Sequence, residues 1–315
     1  MLFGDLNDPH LVSIRDCVKS KKIKCEILGT DENSLLQTKV SYGDAGVSVS
    51  QGKLCLDVFD IAGAFIFLPI FIDSKRSDQN FRFWHASWKE FLYSIYDHLQ
   101  DFGVVVNKGF RNSISCQSKM KLKEVSRGLG VPHPKSVITN SKSDINDFFD
   151  RAESVAIKTL HQIYLEKDSS PTMLLTKIVK KEDFDDFDGL GESPLYLQEF
   201  IEKKYDARCI YVGGKVISCK IDASGSDYGR VDWRAYDLPR TIHREISEPK
   251  HVKSAITEIM QEMQLDYACI DFCIDQNDVW WILDVNPFGK YMWIEMATGL
   301  KISDEIANFL IKKYL

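Results

Sequence analysis

Two stretches near the C-terminus decide the reading: Tyr267-Ala268-Cys269-Ile270-Asp271-Phe272-Cys273-Ile274 and Val279-Trp280-Trp281-Ile282-Leu283-Asp284-Val285-Asn286. Both have the β-branched and aromatic make-up of strands, and the polar Asp275–Asp278 between them reads as a hairpin turn. Each places a carboxylate in an otherwise apolar run, which is costly unless the group is paired or binds a metal. With an even-length turn, Ile274 opposes Val279, Asp271 opposes Ile282 and Asp284 opposes Cys269. Asp271 and Asp284 are then diagonal neighbours on one face, roughly 7–8 Å apart at Cα. Asn286, two residues on, points the same way. An odd-length turn would put the carboxylates on opposite faces. Two carboxylates and an amide oxygen are hard donors that suit magnesium, whose shell is completed by water and phosphate oxygens. Edge-strand acids paired with arginines account for the same residues, and on the residues alone both readings stay open.

The 315 residues are enough for two or three packed lobes. A hydrophobic share of 44% and a charged share of 27% are ordinary for a globular chain. The net charge of -6 argues against a general nucleic-acid binder, which needs a basic face to displace counterions. Eight cysteines, none in C-x-x-C spacing, read as buried reduced thiols and point to a reducing cytoplasm. No signal peptide is expected from Met1-Leu2-Phe3-Gly4-Asp5. The longest apolar run, Ile61–Ile72, is too short to span a bilayer and is broken by Pro69; it reads as a buried strand with its exit turn, so no membrane partner is expected. Zinc-hydrolase, P-loop, dinucleotide-fingerprint and nucleophile-elbow motifs do not occur.

Upstream, Leu11–Ser20 reads as a helix and Lys22–Leu28 as the strand after it, a β-α-β opening. Phe81–Phe102 has helical period, with Phe91, Ile95 and Leu99 on one face. Ser118–Leu129 is a helix ended by Gly130 and Val131-Pro132-His133-Pro134. Ser136–Thr139, Ser154–Thr159 and Leu174–Val179 read as strands, and Ser143–Arg151 as a helix capped by Ser143. From Leu195–Ile201 onward the pattern is mostly strand, with Gly213-Gly214 as a turn and helices at His251–Gln264 and Ser303–Tyr314.

The hairpin's tail, Asp284-Val285-Asn286-Pro287-Phe288-Gly289-Lys290, followed by Trp293-Ile294-Glu295, resembles the closing motif of ATP-grasp ligases. Within them it is similar to the branch that matures microviridin-type (graspetide) peptides. Lys119, ahead of the helix ending in Gly130-Val131-Pro132-His133-Pro134, resembles the first nucleotide lysine, and Lys158 the second. Gln198-Glu199-Phe200-Ile201 looks like the adenine hinge. Asp206-Ala207-Arg208 and Asp232-Trp233-Arg234 match positions near substrate and phosphates. The match covers roughly residues 105–315, and Asp8-Pro9-His10 extends it in outline. Asp284 stands where the family usually has Glu, Lys290 where Gln is common, and no glycine-rich phosphate loop is visible.

The resemblance implies an α/β and α+β assembly of the ATP-grasp type. Residues 1–115 would form an N-terminal lobe, 116–197 a central subdomain and 198–315 a C-terminal subdomain with the metal site. ATP and magnesium, as two ions, are the implied cofactors, with manganese an alternative. Lys119, Lys158, Gln198, Glu199, Phe200, Ile201 and Asp206 would bind nucleotide. Asp271, Asp284 and Asn286 would hold metal, and Arg208 and Arg234 would clamp the γ-phosphate and acyl phosphate, with Trp233 fixing Arg234's direction. Lys203 and Lys204 read as solvated. The implied reaction is attack of a carboxylate on ATP, giving an acyl phosphate and ADP, then displacement of phosphate to form an ester or amide. The implied partner is a ribosomally made precursor peptide whose leader docks on Thr172–Asp188; a homodimer is left open. Addition of an amino acid to a small molecule or protein tail, and a non-catalytic ATP-binding protein, are the competing readings.

Overall fold

A computed structural model of the protein describes residues 1–44, 46–67, 78–152, 154–160, 164–167, 170–173, 176–184, 192–226, 229–235 and 240–314. Strand β1 (Leu2–Gly4) leads into helix α1 (Pro9–Ser20), and β2 (Ile27–Gly29) returns parallel to β1. The strand expected over Lys22–Leu28 is confined to its last residues. Helix α2 (Glu32–Leu36) precedes an antiparallel meander of β3 (Thr38–Gly43), β4 (Gly46–Gln51) and β5 (Leu54–Asp57). Strand β6 (Phe65–Ile66) completes the parallel sheet β2-β1-β6. It realises the buried strand expected in Ile61–Ile72, whose last residues lie outside those described. The long α3 (Gln79–Asp101) buries Leu92, Ile95, Tyr96 and Leu99 along one face, and α4 (Phe110–Ser115) follows.

Helix α5 (Lys119–Gly128) begins at the Ser118 cap, whose hydroxyl accepts the Lys121 N–H. Then come β7 (Ser136–Thr139), α6 (Lys142–Phe149), β8 (Val155–Lys158), the pair β9 (Tyr164–Lys167) and β10 (Ser170–Met173), β11 (Lys177–Val179) and β12 (Leu195–Glu199). Ser141, not Ser143, caps α6, because the helix starts at Lys142 and the cap must accept from Asp144 N–H. The antiparallel sheet β11-β8-β12-β7 packs on α6 through Ile145, Phe149, Val155, Val179 and Leu197. Of the expected leader-docking stretch Thr172–Asp188, residues 174–175 and 185–188 lie outside those described.

The last part is β13 (Lys203–Val212), β14 (Lys215–Asp222), β15 (Ile242–Ile246), α7 (Lys250–Glu262), β16 (Tyr267–Asp275), β17 (Trp280–Asn286), α8 (Met292–Thr298) and α9 (Ile302–Tyr314). The strands form one antiparallel sheet in the order β15-β14-β13-β16-β17. Gly213 and Gly214 turn β13 into β14 with positive φ, and a side chain on Gly213 would run into the Phe309 ring. One side of this sheet shares a core with the chain's beginning: Leu2, Leu11 and Ile14 bury with Tyr267, Ile294 and Ile306. On the other side α7 and α5 pack together, Ile256 and Ile259 joining Leu122, Phe272 and Ile282. Helix α5 therefore belongs physically to the five-stranded sheet, although the chain next enters the four-stranded one. All eight cysteines are free; six are buried, whereas Cys55 is exposed and Cys17 partly so. Among the described residues no helix is long and apolar enough to cross a membrane.

Candidate nucleotide and metal site

The carboxylate hairpin has an odd turn. Ile274 pairs with Trp280, leaving five residues, 275–279, between the strands. Continued without interruption, that register would turn Asp284 away from Asp271. A bulge follows Ile282↔Phe272 and absorbs Leu283, so Asp271 and Asp284 oppose each other directly. The expected diagonal pairing, with Asp284 opposite Cys269, is thus corrected: Asn286 opposes Cys269. All three ligand candidates still share a face. Arg208 opposes Asp271 from the other side, so Arg208, Asp271 and Asp284 form one transverse row across β13, β16 and β17.

Two directly opposed carboxylates repel unless cations intervene. Arg208 Nε lies 3.5 Å from Asp271 Oδ1, and Lys119 Nζ lies 2.7 Å from Asp284 Oδ1. The serial lysines 119, 121 and 123 read as a surface run, but Lys119 turns inward from the start of α5 and its side chain is only 16% exposed. Burial pushes the Asp271 carboxyl above its ordinary range, while Arg208 pulls against it. The Arg208 guanidinium, although burial disfavours its charge, is held firmly protonated by Asp271. Arg208 Nε and Asp271 Oδ1 are both buried without a hydrogen-bond partner. A buried carboxylate oxygen lacking a donor, opposite a second carboxylate and on one face with Asn286, suits a hard divalent cation. Among the described residues no three His, Cys, Asp or Glu side chains cluster. An ion here would take two carboxylates and an amide from the protein and the rest from phosphate and water.

Lys158 and Gln198 lie on adjacent strands of the smaller sheet, with Lys158 Nζ donating to Gln198 Oε1 at 2.5 Å. Burial, with Lys119 close by, pulls the Lys158 ammonium down to about 8, while Asp284 pulls it up. Gln198 is oriented in turn, its amide donating to Tyr196 Oη. Burial pushes the Tyr196 phenol up to about 12. The expected hinge departs from its simplest form. The Glu199 N–H donates to Lys135 O and the Phe200 N–H to Ser154 O. Both N–H groups are thus taken within the protein, and only the remaining backbone groups of the expected hinge are left for a base.

Asp206 is buried beside Lys203, 2.6 Å from its ammonium. Lys203 is therefore not the solvated residue expected. Burial pushes the Asp206 carboxyl up to about 6 despite that partner. Arg234 is committed to Asp232: its Nε and one terminal nitrogen bind the two carboxylate oxygens. Those bonds hold Asp232 down at about 2 against the upward push of burial. Asp232 also accepts the Thr176 N–H. Trp233 faces Arg208. The Arg208 guanidinium carbon lies over its ring, 5.3 Å from the centroid, and Trp293 from α8 packs against it at 4.9 Å with the rings tilted by 35°. Tyr196 had no site role in the sequence, Thr176 stood only within the expected docking stretch, and Trp293 stood in the closing motif without a role of its own.

The tail after Asn286 is a built turn. Asn286 Oδ1 accepts the Phe288 N–H and its carbonyl accepts the Gly289 N–H. Tyr267 Oη donates to Gly289 O. Glu295 binds both the backbone N–H and the hydroxyl of Ser303 at the start of α9, a structural role for the last residue of the Trp-Ile-Glu motif.

Two antiparallel sheets that bring lysines against a row of carboxylates and arginines define an ATP-grasp fold. The chain belongs to the RimK-like ATP-grasp family, whose model matches residues 116–310. Among solved structures, the Chryseobacterium gregarium RiPP-associated ATP-grasp ligase, in complex with ADP and a leader and core peptide, is 20% identical. It superposes with a TM-score of 0.86 over 99% of this chain and 96% of that one. The macrocyclase MdnC from Microcystis aeruginosa MRC, bound with precursor peptide MdnA, is also 20% identical, with a TM-score of 0.84 over 99% of each chain. The ATP-grasp ligase PsnB, complexed with minimal precursor, magnesium and ADP, is 16% identical, with a TM-score of 0.79 over 100% of this chain and 96% of that one. At such identities the likeness concerns the fold. Among curated proteins none matches the sequence.

Proposed function

We propose that the protein is an ADP-forming ligase that activates side-chain carboxylates of a ribosomally made precursor peptide and closes them into ester or amide crosslinks. The observation that carries this is the row Arg208–Asp271–Asp284 with Lys119 at its open end and Lys158 nearby. That arrangement is suited to bringing two anions, a phosphate chain and a carboxylate, into contact. The peptide substrate is favoured because the similarity to peptide-bound ligases runs the length of both chains, including the N-terminal residues that the family model leaves out.

Lys119 and Lys158 neutralise phosphate oxygens as point charges. Gln198 holds Lys158 in place, and Lys203 pairs with the buried Asp206. Arg208, kept charged by Asp271 and backed by the Trp233 face, presents its remaining N–H groups to the transferring phosphoryl and the acyl phosphate. Arg234, fixed by Asp232, keeps a free edge toward the same space. A magnesium ion held by Asp271, Asp284 and Asn286 would supply further positive charge against the phosphate oxygens. Manganese suits the same oxygen donors. The leader would dock on the Thr172–Asp188 side.

Co-expression with a candidate precursor, read by mass spectrometry, tests the proposal. Successive losses of one water per crosslink, with ADP as the nucleotide product, are expected. AMP and pyrophosphate, or an unmodified peptide despite ATP turnover on another substrate, would overturn it.

A further inference from the structure

Helix α8 follows directly on the site's last strand and turn, yet its own cap residue, Tyr291, offers no side-chain hydrogen bond. The cap arrives from the far end of the chain. His10 Nε2 accepts both the Tyr291 and the Met292 N–H, each at 3.0 Å. Its Nδ1 lies 2.8 Å from Asp8 Oδ1. A ring nitrogen that accepts two N–H groups carries no proton, so Nδ1–H is the donor to Asp8 and the tautomer is defined. The ring is buried, 4.8 Å from both Phe67 and Tyr291. Asp8 is itself engaged, accepting the His10 N–H as the cap of α1.

We propose that His10 is a positioning residue for the ligase site, acting through the segment 287–293. At one end of that segment the Phe288 N–H fixes the amide of Asn286, and at the other Trp293 backs Trp233 and so Arg208. His10 holds the backbone between them, N–H groups that α8 would otherwise leave open. It thereby sets a metal-ligand candidate and the arginine together, without touching either. The inference rests on the ligase reading given above.

The test compares His10→Ala and His10→Gln in the full chain, since the Gln side-chain oxygen can accept the N–H groups that Ala abandons. Four quantities are read: the melting temperature, Mn2+ affinity in the presence of ADP, and kcat and KM with the unmodified precursor peptide. His10→Ala is expected to lose roughly 10–100-fold in Mn2+ affinity and kcat, as when a partner orienting a metal ligand is removed. His10→Gln should recover most of both, while KM for the peptide stays within a few-fold. Wild-type affinity and kcat in His10→Ala would overturn the proposal. So would equal losses in both variants that follow the melting temperature alone. Wild-type protein that binds neither Mn2+ nor ADP would instead sink the ligase reading.

Discussion

Asp284 stands directly opposite Asp271 because, over the paired stretch, Trp280–Asn286 runs one residue longer than Cys269–Ile274, and that residue, Leu283, is absorbed in a bulge. The turn alone would have separated the two carboxylates. Their opposition makes Asp271 the most informative position. Asp271→Asn keeps the shape but removes the charge that faces Arg208 and Asp284. Turnover should fall about 10²–10³-fold, with the far-ultraviolet circular dichroism unchanged; an ADP-release assay under saturating magnesium decides it.

The Lys119–Asp284 pair predicts coupling between metal and nucleotide. With Lys119 at 2.7 Å, one carboxylate of the metal set is already neutralised. Lys119→Met should strengthen Mn2+ binding without nucleotide by roughly fivefold to tenfold, about 1 kcal/mol for a partly solvated pair. The same substitution should weaken ADP. Calorimetric titration of each ligand alone and then together shows whether the two changes have opposite signs.

Lys158 sets a pH dependence. Its ammonium, pulled down to about 8 by burial and Lys119, is charged below that pH and neutral above it. A phosphate chain favours the charged form, so nucleotide affinity should fall as pH rises past 8, by up to about tenfold per unit. Lys158→Arg, which stays charged, should flatten the profile. Without nucleotide the sign reverses. The unfolded chain keeps this proton up to about 10.4, so between about 8 and that value the Lys158 contribution makes the folded protein more stable as pH rises.

Gly289 permits a close approach. A Cβ built there would lie 2.3 Å from Cys269 Cβ and 3.0 Å from Asn286 O. Gly289→Ala should therefore destabilise the fold by about 1–3 kcal/mol and weaken Mn2+ binding with ADP, because the turn that orients Asn286 must shift. Chemical denaturation and the binding titration measure the two effects separately.

The order of elements was legible because apolar period and glycine turns are local signals: Gly130 and Gly213-Gly214 act where they were expected, whereas the cap of α6 falls on Ser141 and not Ser143. The site's residues could be named, but much of their pairing could not. Lys119 looks like its neighbours 121 and 123, and only the packing of α5 aims it at Asp284. Trp233 sits beside Arg234 in sequence yet packs on Arg208 and Trp293, contacts that only the tertiary fold brings together. The bulge shows only in burial: Trp280, Ile282 and Val285 are buried at intervals of two and then three, a break that the unbroken apolar run Trp280–Leu283 hides in the sequence. The antiparallel meander β3–β5 likewise left no mark: β3 is largely exposed and short of apolar residues.

Helix α5 packs with the five-stranded sheet, so Lys119 and Lys158 belong to different sheets even though both precede Gln198 in the chain. Burial is the larger cause of the lowered Lys158 ammonium, and the like charge of Lys119 across the seam adds to it. A polyanion placed in the seam turns that mutual repulsion into shared attraction. A phosphate chain would thus be held from both sheets at once.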